Sequence, residues 1–196
     1  MTTQAHNHIV QSQFGPGANS YITSTVHAQG EDLRHIAAMA KAARPGHALD
    51  LGCGGGHVAY AMAPHAGVVA ACDLSPDMTA AVEAEAARRG IGNIRPCCAP
   101  ASQLPFADGA FDFLACRFSA HHWQDVPSGL REARRVLRAG AGGVIVDVVA
   151  PALPAADTHL QAVELLRDPS HVRDYSEAEW TSCLLYTSPS PRDATL

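Results

Sequence analysis

An acidic residue and three alternating glycines follow a short apolar segment in the first third of the chain. Residues 48–56 read Ala-Leu-Asp-Leu-Gly-Cys-Gly-Gly-Gly, which places Asp50 ahead of Gly52, Gly54 and Gly56. Because glycine has no side chain to obstruct close approach, a strand that ends in such a turn and leads into a helix presents bare backbone to a ligand. The pattern predicts a pocket for a nucleotide-type cofactor, although the same glycines would also suit a tight turn without a ligand.

The spacing of the glycines bears on which nucleotide binds. A dinucleotide fingerprint carries a third glycine three residues after the second, beneath a pyrophosphate at the helix N-terminus. His57 occupies that position here, so a pyrophosphate is the poorer fit. A second carboxylate, Asp73, closes the next apolar segment, where it could accept both hydroxyls of a ribose. Asp73 could instead cap the helix that follows, although Ser75 is already placed to cap it.

Two adjacent histidines follow the fourth predicted strand. His121 and His122 would lie at the carboxyl edge of the sheet, where open α/β folds bind their ligands. Imidazole has a suitable pKa for a general base at neutral pH, so one of the two is a candidate base. The alternative is that the pair braces its loop by hydrogen bonding.

The ordered motifs of the chain resemble those of a known enzyme family. Asp50 and the alternating glycines resemble motif I of the class I methyltransferases that use S-adenosylmethionine (SAM). The later motifs follow the order and spacing of the UbiE-like quinone methyltransferases (methyltransferase type 11), and the chain resembles the small YafE-like proteins in particular. These motifs are Asp73, Gln103-Leu104-Pro105-Phe106, Phe111-Asp112, Ser119-Ala120-His121-His122-Trp123, Leu137-Arg138-Ala139-Gly140 and Ser170-His171-Val172-Arg173.

This resemblance implies SAM as the cofactor and assigns residues to each part of it. The turn at 52–56 would meet the methionyl end, with Asp50 organising the turn and favouring the ammonium, and Asp73 would hold the ribose. Leu74 and the loop that includes Ala101 and Ser102 would enclose the adenine. Family members usually carry an acid just before this loop and a glutamate within it. This chain has Pro100 and Ser102 there, so backbone groups must recognise the adenine.

The resemblance also implies a small-molecule methyl acceptor, aromatic or quinone-like, that is methylated at carbon or oxygen. Family members close the acceptor pocket with the N-terminal segment and with an insert after the fifth strand. Tyr21, Arg117 and Arg173 are therefore candidate acceptor-binding residues, with Phe14 a further lid candidate, and an arginine would suit an anionic acceptor. For the arginines the alternative is a solvated surface charge. Two other functions remain open, a non-catalytic SAM-binding module and an NAD-dependent oxidoreductase.

Strand and helix patterns alternate along the chain and predict a doubly wound α/β fold with a mostly parallel, Rossmann-like sheet. Residues 1–30 are expected to be a mobile start and lid, 31–150 the SAM-binding core and 151–183 a helical lid insert. Within the core, the patterns predict helices at 31–43, 56–64, 76–89 and 127–138. They predict strands at 47–51, 68–72, 94–98, 111–116 and 143–149.

The tail at 184–196 departs from the family pattern. Its sequence resembles translated sequencing-adapter read-through, and the alternative is an ordinary disordered tail. Pro189 and Pro191 exclude a central strand there, so the antiparallel strands that normally close the sheet are expected to be missing. The apolar fifth strand would then lie at an edge of the sheet.

Composition excludes several classes of function. The formal net charge is −5 and there is no block of basic residues, so nucleic acid is not expected as a partner. No apolar run is long enough to span a membrane. The six cysteines form no Cys-x-x-Cys pair, which favours a reducing compartment and a cytoplasmic protein. Neither His6 and His8 nor Cys97-Cys98 has metal-ligand spacing, so no metal is predicted.

Overall fold

A computed structural model of the protein describes residues 3–17 and 28–187. Tyr21, one of the predicted acceptor contacts, lies outside the described residues, as does the tail beyond residue 187. The predicted division of the chain at residues 30, 150 and 183 remains a prediction.

Five strands form one parallel sheet in the order β3-β2-β1-β4-β5. All four pairings are parallel, which confirms the predicted doubly wound architecture. The described residues contain no antiparallel strand after β5, which lies at one edge of the sheet as predicted. The strands are β1 (His47–Leu51), β2 (Val68–Asp73), β3 (Ile94–Cys98), β4 (Phe111–Arg117) and β5 (Leu137–Val146).

Seven α-helices alternate with or flank these strands in the described part of the chain. Local capping fixes where two of them begin, since Ser75 Oγ accepts a hydrogen bond from Met78 N at 3.4 Å and Asp125 Oδ1 accepts one from Ser128 N at 2.9 Å. The helices are α1 (Thr3–Phe14), α2 (Glu31–Ala43), α3 (His57–Met62), α4 (Pro76–Arg88), α5 (Val126–Val136), α6 (Pro154–Arg167) and α7 (Glu177–Thr187).

The core has two layers, one on each face of the sheet. Successive strand residues point to opposite faces, so Ala48 joins one cluster with α2, α3 and α4 while Leu49 joins the other with α5. Both clusters are almost fully excluded from solvent. The helical layers therefore cover both faces of β1 and leave its carboxyl end open.

The structure differs from the sequence predictions at both ends of the chain. Residues 3–14 form helix α1, where no helix was predicted, and helix α7 ends at Thr187. β5 begins at Leu137 and not at 143, because Leu137 already pairs with Phe111. The register then shifts at a bulge, and regular pairing continues from Gly142, which pairs with Phe113. β5 also ends at Val146, so that Asp147 leaves the strand. Among the described residues, no helix has the length and apolarity needed to cross a bilayer.

We predict that Gly56→Ala destabilises the fold by about 1–3 kcal/mol. Gly56 has φ +79°, and a Cβ there would lie 2.8 Å from the Tyr60 ring and 3.0 Å from Val82. Gly92→Ala is the matched control, since a Cβ at Gly92 meets nothing within 4 Å. Urea unfolding of the two variants measures the difference. Equal midpoints would contradict the packing role assigned to Gly56.

Candidate functional site

The carboxyl ends of the strands surround a cavity of about 390 Å³. It lies where the strand order changes direction between β1 and β4, the usual ligand position in open α/β sheets. The loops after all five strands contribute to its wall, and α1 contributes Asn7, Val10 and Phe14. One cavity therefore collects nearly all the sequence-predicted site residues that the structure describes.

Asp50 is the most unusual polar group in the wall of this cavity. Its side chain is 1% exposed, and its Oδ2 accepts a hydrogen bond from Ala59 N at 2.9 Å at the start of α3. Its Oδ1 is buried with no hydrogen-bond partner among the described residues. Burial raises the pKa of Asp50 to about 8. A buried, unpaired carboxylate oxygen of this kind suits a cationic ligand group such as the methionyl ammonium of SAM.

Asp73 connects the end of β2 to the glycine turn. Its Oδ2 accepts a hydrogen bond from Gly54 N at 2.8 Å and its Oδ1 accepts one from Ser75 N at 2.9 Å. Each carboxylate oxygen keeps a lone pair that can accept a ribose hydroxyl. A Cβ at Gly54 would meet nothing within 4 Å, so backbone faces open space at this point of the cavity. Gly52 belongs to the same turn and also lines the cavity. Gly56, which was predicted to contact the cofactor, packs against Tyr60 outside the cavity.

The predicted adenine end is formed by the loops after β2 and β3. Leu74, Pro100, Ala101 and Ser102 all line the cavity. The amide of Gln11 in α1 donates to the carbonyl oxygen of Leu74 at 3.0 Å, which fixes α1 over this end. The predicted adenine contacts therefore lie together on the wall of the cavity.

His121 forms a tight pair with Asp147, the residue that follows β5. Its Nδ1 lies 2.5 Å from Asp147 Oδ1, and its backbone N donates to Asp147 Oδ2 at 3.1 Å. Burial opposes the charged imidazole, but the hydrogen bond and negative charge of Asp147 outweigh it, so the pKa of His121 is raised. This pair is the arrangement that holds a histidine in one tautomer, with the hydrogen on Nδ1 and a lone pair on Nε2.

His122 has a different environment. Its Nδ1 lies 3.2 Å from the carbonyl oxygen of Ser170, and the ring of Phe14 packs edge-on at a centroid distance of 5.0 Å. Burial and the nearby charge of His121 lower the pKa of His122 to about 4. His6 Nε2 also lies 2.9 Å from the carbonyl oxygen of His122. His122 is therefore a neutral group that connects three segments of the chain.

The two arginines predicted to bind the acceptor occupy different places. Arg117 lines the cavity with a side chain that is 5% exposed, and its Nε lies 2.5 Å from Asp32 Oδ2. Arg173 does not line the cavity, because its guanidinium is held by Asp157 at 2.9 Å and Glu179 at 3.0 Å. The position of Arg173 gives no support to its predicted contact with the acceptor.

Several cavity residues were not found from the sequence. Asn7 and Val10 lie on one helix face with Phe14, the predicted lid residue, and this i, i+3, i+7 spacing could have revealed α1. Trp123 and Asp168 also line the cavity. Asp168 is brought there by the connection between α6 and α7, for which the sequence carries no local signal.

The described residues contain one cluster of metal-ligating types, in which single atoms of His121, Asp147 and Asp174 lie within 4.8 Å of one another. The sequence did not predict this cluster. Two donors on one zinc or magnesium ion lie roughly 3 Å or more apart, whereas His121 Nδ1 and Asp147 Oδ1 are separated by 2.5 Å. These two atoms share a hydrogen bond.

The fold and the site together define an α/β protein with an adenosyl-cofactor cavity at the carboxyl edge of its sheet. The family model for the methyltransferase domain matches residues 49–165, which is more than half of the chain. The chain belongs to this family and is a SAM-dependent methyltransferase of the class I fold.

Three relatives illustrate the family. The uncharacterized methyltransferase YcgJ of Bacillus subtilis is 36% identical over 87% of this chain and 67% of that protein. The crystal structure of YcgJ superimposes with a TM-score of 0.74 and 35% identity, covering 79% of this chain and 68% of that chain. The uncharacterized protein YafE of Escherichia coli is 43% identical over 66% of this chain and 62% of that protein. The demethylmenaquinone methyltransferase of Geobacillus kaustophilus is 33% identical over 54% of this chain and 47% of that protein. The chain spans about two thirds of the length of YcgJ and YafE.

We predict that binding of SAM releases about one proton per site at pH 6–7. The raised pKa of Asp50, about 8, keeps its carboxyl protonated in the unliganded protein, and an ammonium beside it favours the ionised form. The affinity for SAM should therefore rise as the pH rises from 6 towards 8. Calorimetric titrations in buffers of different ionisation enthalpy measure the proton number.

Asp50→Asn is the matched variant for this measurement. It keeps the shape of the side chain but has no titrating carboxyl, so it should bind SAM more weakly and release no proton. A proton number of zero in the unsubstituted protein would contradict the assignment of Asp50 to the ammonium.

Proposed function

We propose that this protein transfers the methyl group of SAM to a small-molecule acceptor, aromatic or quinone-like, at carbon or oxygen. The observation that carries the proposal is that the cofactor carboxylates, Asp50 and Asp73, and the His121–Asp147 pair line or border the same cavity. Similarity to the demethylmenaquinone methyltransferase supports a quinone-like acceptor. The aromatic rings of Phe14 and Phe118, which line the same cavity, support a flat acceptor.

Methyl transfer is an in-line displacement, so the main work of the protein is to align the acceptor atom with the methyl–sulfur bond and to exclude water. When bound, SAM supplies an electrophilic methyl group on a sulfonium. The loops after β1, β2 and β3 would hold the nucleoside, while α1 would cover it through Gln11 and Phe14. Phe118, which has φ +52°, brings its ring to the cavity at the end of β4.

A base is needed if the acceptor atom is a hydroxyl or an acidic carbon. Of the two candidate histidines, His121 suits this role better, because Asp147 raises its pKa and fixes its tautomer. His122, with a pKa of about 4, has little affinity for a proton at neutral pH. We therefore assign proton removal to His121 and positioning to His122.

We also propose that the protein works in a reducing compartment such as the cytoplasm. Cys53, Cys72 and Cys116 are buried in the core and serve there as small apolar side chains. Burial raises the pKa of each of these thiols, which makes them unreactive.

We predict that His121→Gln lowers the rate of methyl transfer by about 10²- to 10⁴-fold, whereas SAM binding stays within about threefold of its original affinity. The rate of the unsubstituted protein should increase with pH through the raised pKa of His121, because only the neutral ring accepts a proton. The measurement uses SAM with a labelled methyl group and a panel of phenols, hydroquinones and a metabolite extract.

Two variants serve as controls for this experiment. His122→Gln should lower the rate less than His121→Gln, and Asp73→Asn should weaken SAM binding itself. A larger loss of rate in His122→Gln than in His121→Gln would assign the base to His122 instead. SAM binding without methyl transfer to any component of the panel or the extract would favour the non-catalytic SAM-binding module.

A further inference from the structure

A second buried carboxylate lies against the His121–Asp147 pair. Asp174 belongs to the connecting segment, residues 168–176, which joins α6 to α7. It is 2% exposed, and its Oδ2 has no hydrogen-bond partner among the described residues. Single atoms of His121, Asp147 and Asp174 lie within 4.8 Å of one another. His171 Nε2 lies 3.9 Å from the same Oδ2, and burial raises the pKa of Asp174. A buried carboxylate is costly, so its position next to two imidazoles calls for a physical reason.

The connecting segment is fixed in place by backbone contacts. The backbone N atoms of Val172 and Arg173 both donate to the carbonyl oxygen of His121, at 2.8 and 3.2 Å. The Gln161 side chain holds Asp174 from the other side, because Oε1 accepts from Asp174 N at 3.0 Å and Nε2 donates to Asp174 O at 3.0 Å. These contacts hold the Asp174 carboxylate beside the imidazole.

The charges around His121 favour a single proton there. The groups that face His121 are the carboxylates of Asp147, Asp168 and Asp174 and the rings of His122 and His171. Burial lowers the pKa values of His122 and His171, so both rings are neutral near pH 7. Three carboxylates therefore face one ring that can become positively charged, and two of them, Asp147 and Asp174, have an oxygen within 4.8 Å of a ring nitrogen of His121.

We infer that Asp174 is a positioning residue for the base, the second carboxylate after Asp147 that stabilises the proton His121 accepts from the methyl acceptor. This inference rests on the proposed function of His121. In the step it supports, the acceptor O–H or acidic C–H gives its proton to the imidazole as the bond from acceptor to methyl forms and the methyl–sulfur bond breaks. The sulfonium charge is lost, and the positive charge now lies on the imidazolium between two carboxylates.

The inference narrows the class of acceptor. A neutral amine attacks a methyl group with its own lone pair and needs no base beforehand. Two carboxylates that favour a positive charge on one histidine suit an acceptor whose attacking group must lose a proton. The expected acceptors are therefore phenols, hydroquinones, enols or similarly acidic carbons.

The test is an NMR titration of the histidine rings in the full chain without ligand. Asp174→Asn removes the charge while keeping the shape, so it should weaken proton binding at His121 by about tenfold. Asp108→Asn is the matched control. Asp108 is an exposed carboxylate that pairs with Arg135 and is not among the groups that face His121, so His121 should titrate in this variant as in the unsubstituted protein.

A second measurement remains valid if Asp174→Asn does not fold. In the unsubstituted protein, His121 should be the last of His121, His122 and His171 to lose its proton as the pH rises. The inference is overturned if His122 or His171 is more basic than His121, or if His121 titrates identically in Asp174→Asn. Saturable binding of Mn²⁺ that disappears in Asp174→Asn would also overturn it, because a cation would then take the place of the proton.

These outcomes are distinguishable from failure of the proposed function. The titration is made without cofactor or acceptor and reports only on the groups around His121. A normal titration together with no methyl transfer to any acceptor would overturn the proposed function and leave the charge network intact. Methyl transfer by the unsubstituted protein, together with an unchanged His121 titration in Asp174→Asn, would overturn only the positioning role of Asp174.

Discussion

The cofactor site depends on one buried carboxylate. Asp50 lies at the open carboxyl end of β1, where one of its oxygens accepts a hydrogen bond from the start of α3 and the other has no partner in the part of the chain that the structure describes. Removing a charged carboxylate from water costs several kcal/mol unless a positive partner is present. The protein reduces this cost by keeping the group protonated, as its pKa of about 8 indicates. A cationic ligand group can take the place of that proton, which links cofactor binding to ionisation.

A second pair of charges serves the other side of the same cavity. The β4 and β5 ends bring His121 and Asp147 together, and the connecting segment adds Asp174. Both carboxylate sites lie at one edge of a parallel sheet because all five strands run in the same direction. One site favours a positive charge on the ligand and the other favours a positive charge on the protein. In the proposed reaction the ammonium stays beside Asp50, while the positive charge lost from the sulfonium is taken up by His121.

Local sequence patterns predicted most of the strands and helices. They failed where contacts between residues far apart in the sequence determine the structure. β1, β3 and α2 have the predicted bounds, since their residues carry clear periodicity and turn signals. Helix α1 was missed although Asn7, Val10 and Phe14 have helical spacing, and its remaining support comes from remote backbone oxygens, those of Leu74 and His122. Asp147 was placed inside an apolar strand, and no local pattern could show that it leaves β5 to bind His121, 26 positions earlier. Arg173, predicted to contact the acceptor, is held by Asp157 and Glu179 and does not line the cavity.

The most direct test of the account is a crystal structure of the protein with S-adenosylhomocysteine, the demethylated product. The account predicts that the amino group of the ligand lies within hydrogen-bond distance of Asp50 Oδ1, with the ribose hydroxyls on Asp73 and the adenine between Leu74 and residues 100–102. A ligand bound elsewhere, or a nucleoside whose amino group faces away from Asp50, would contradict it.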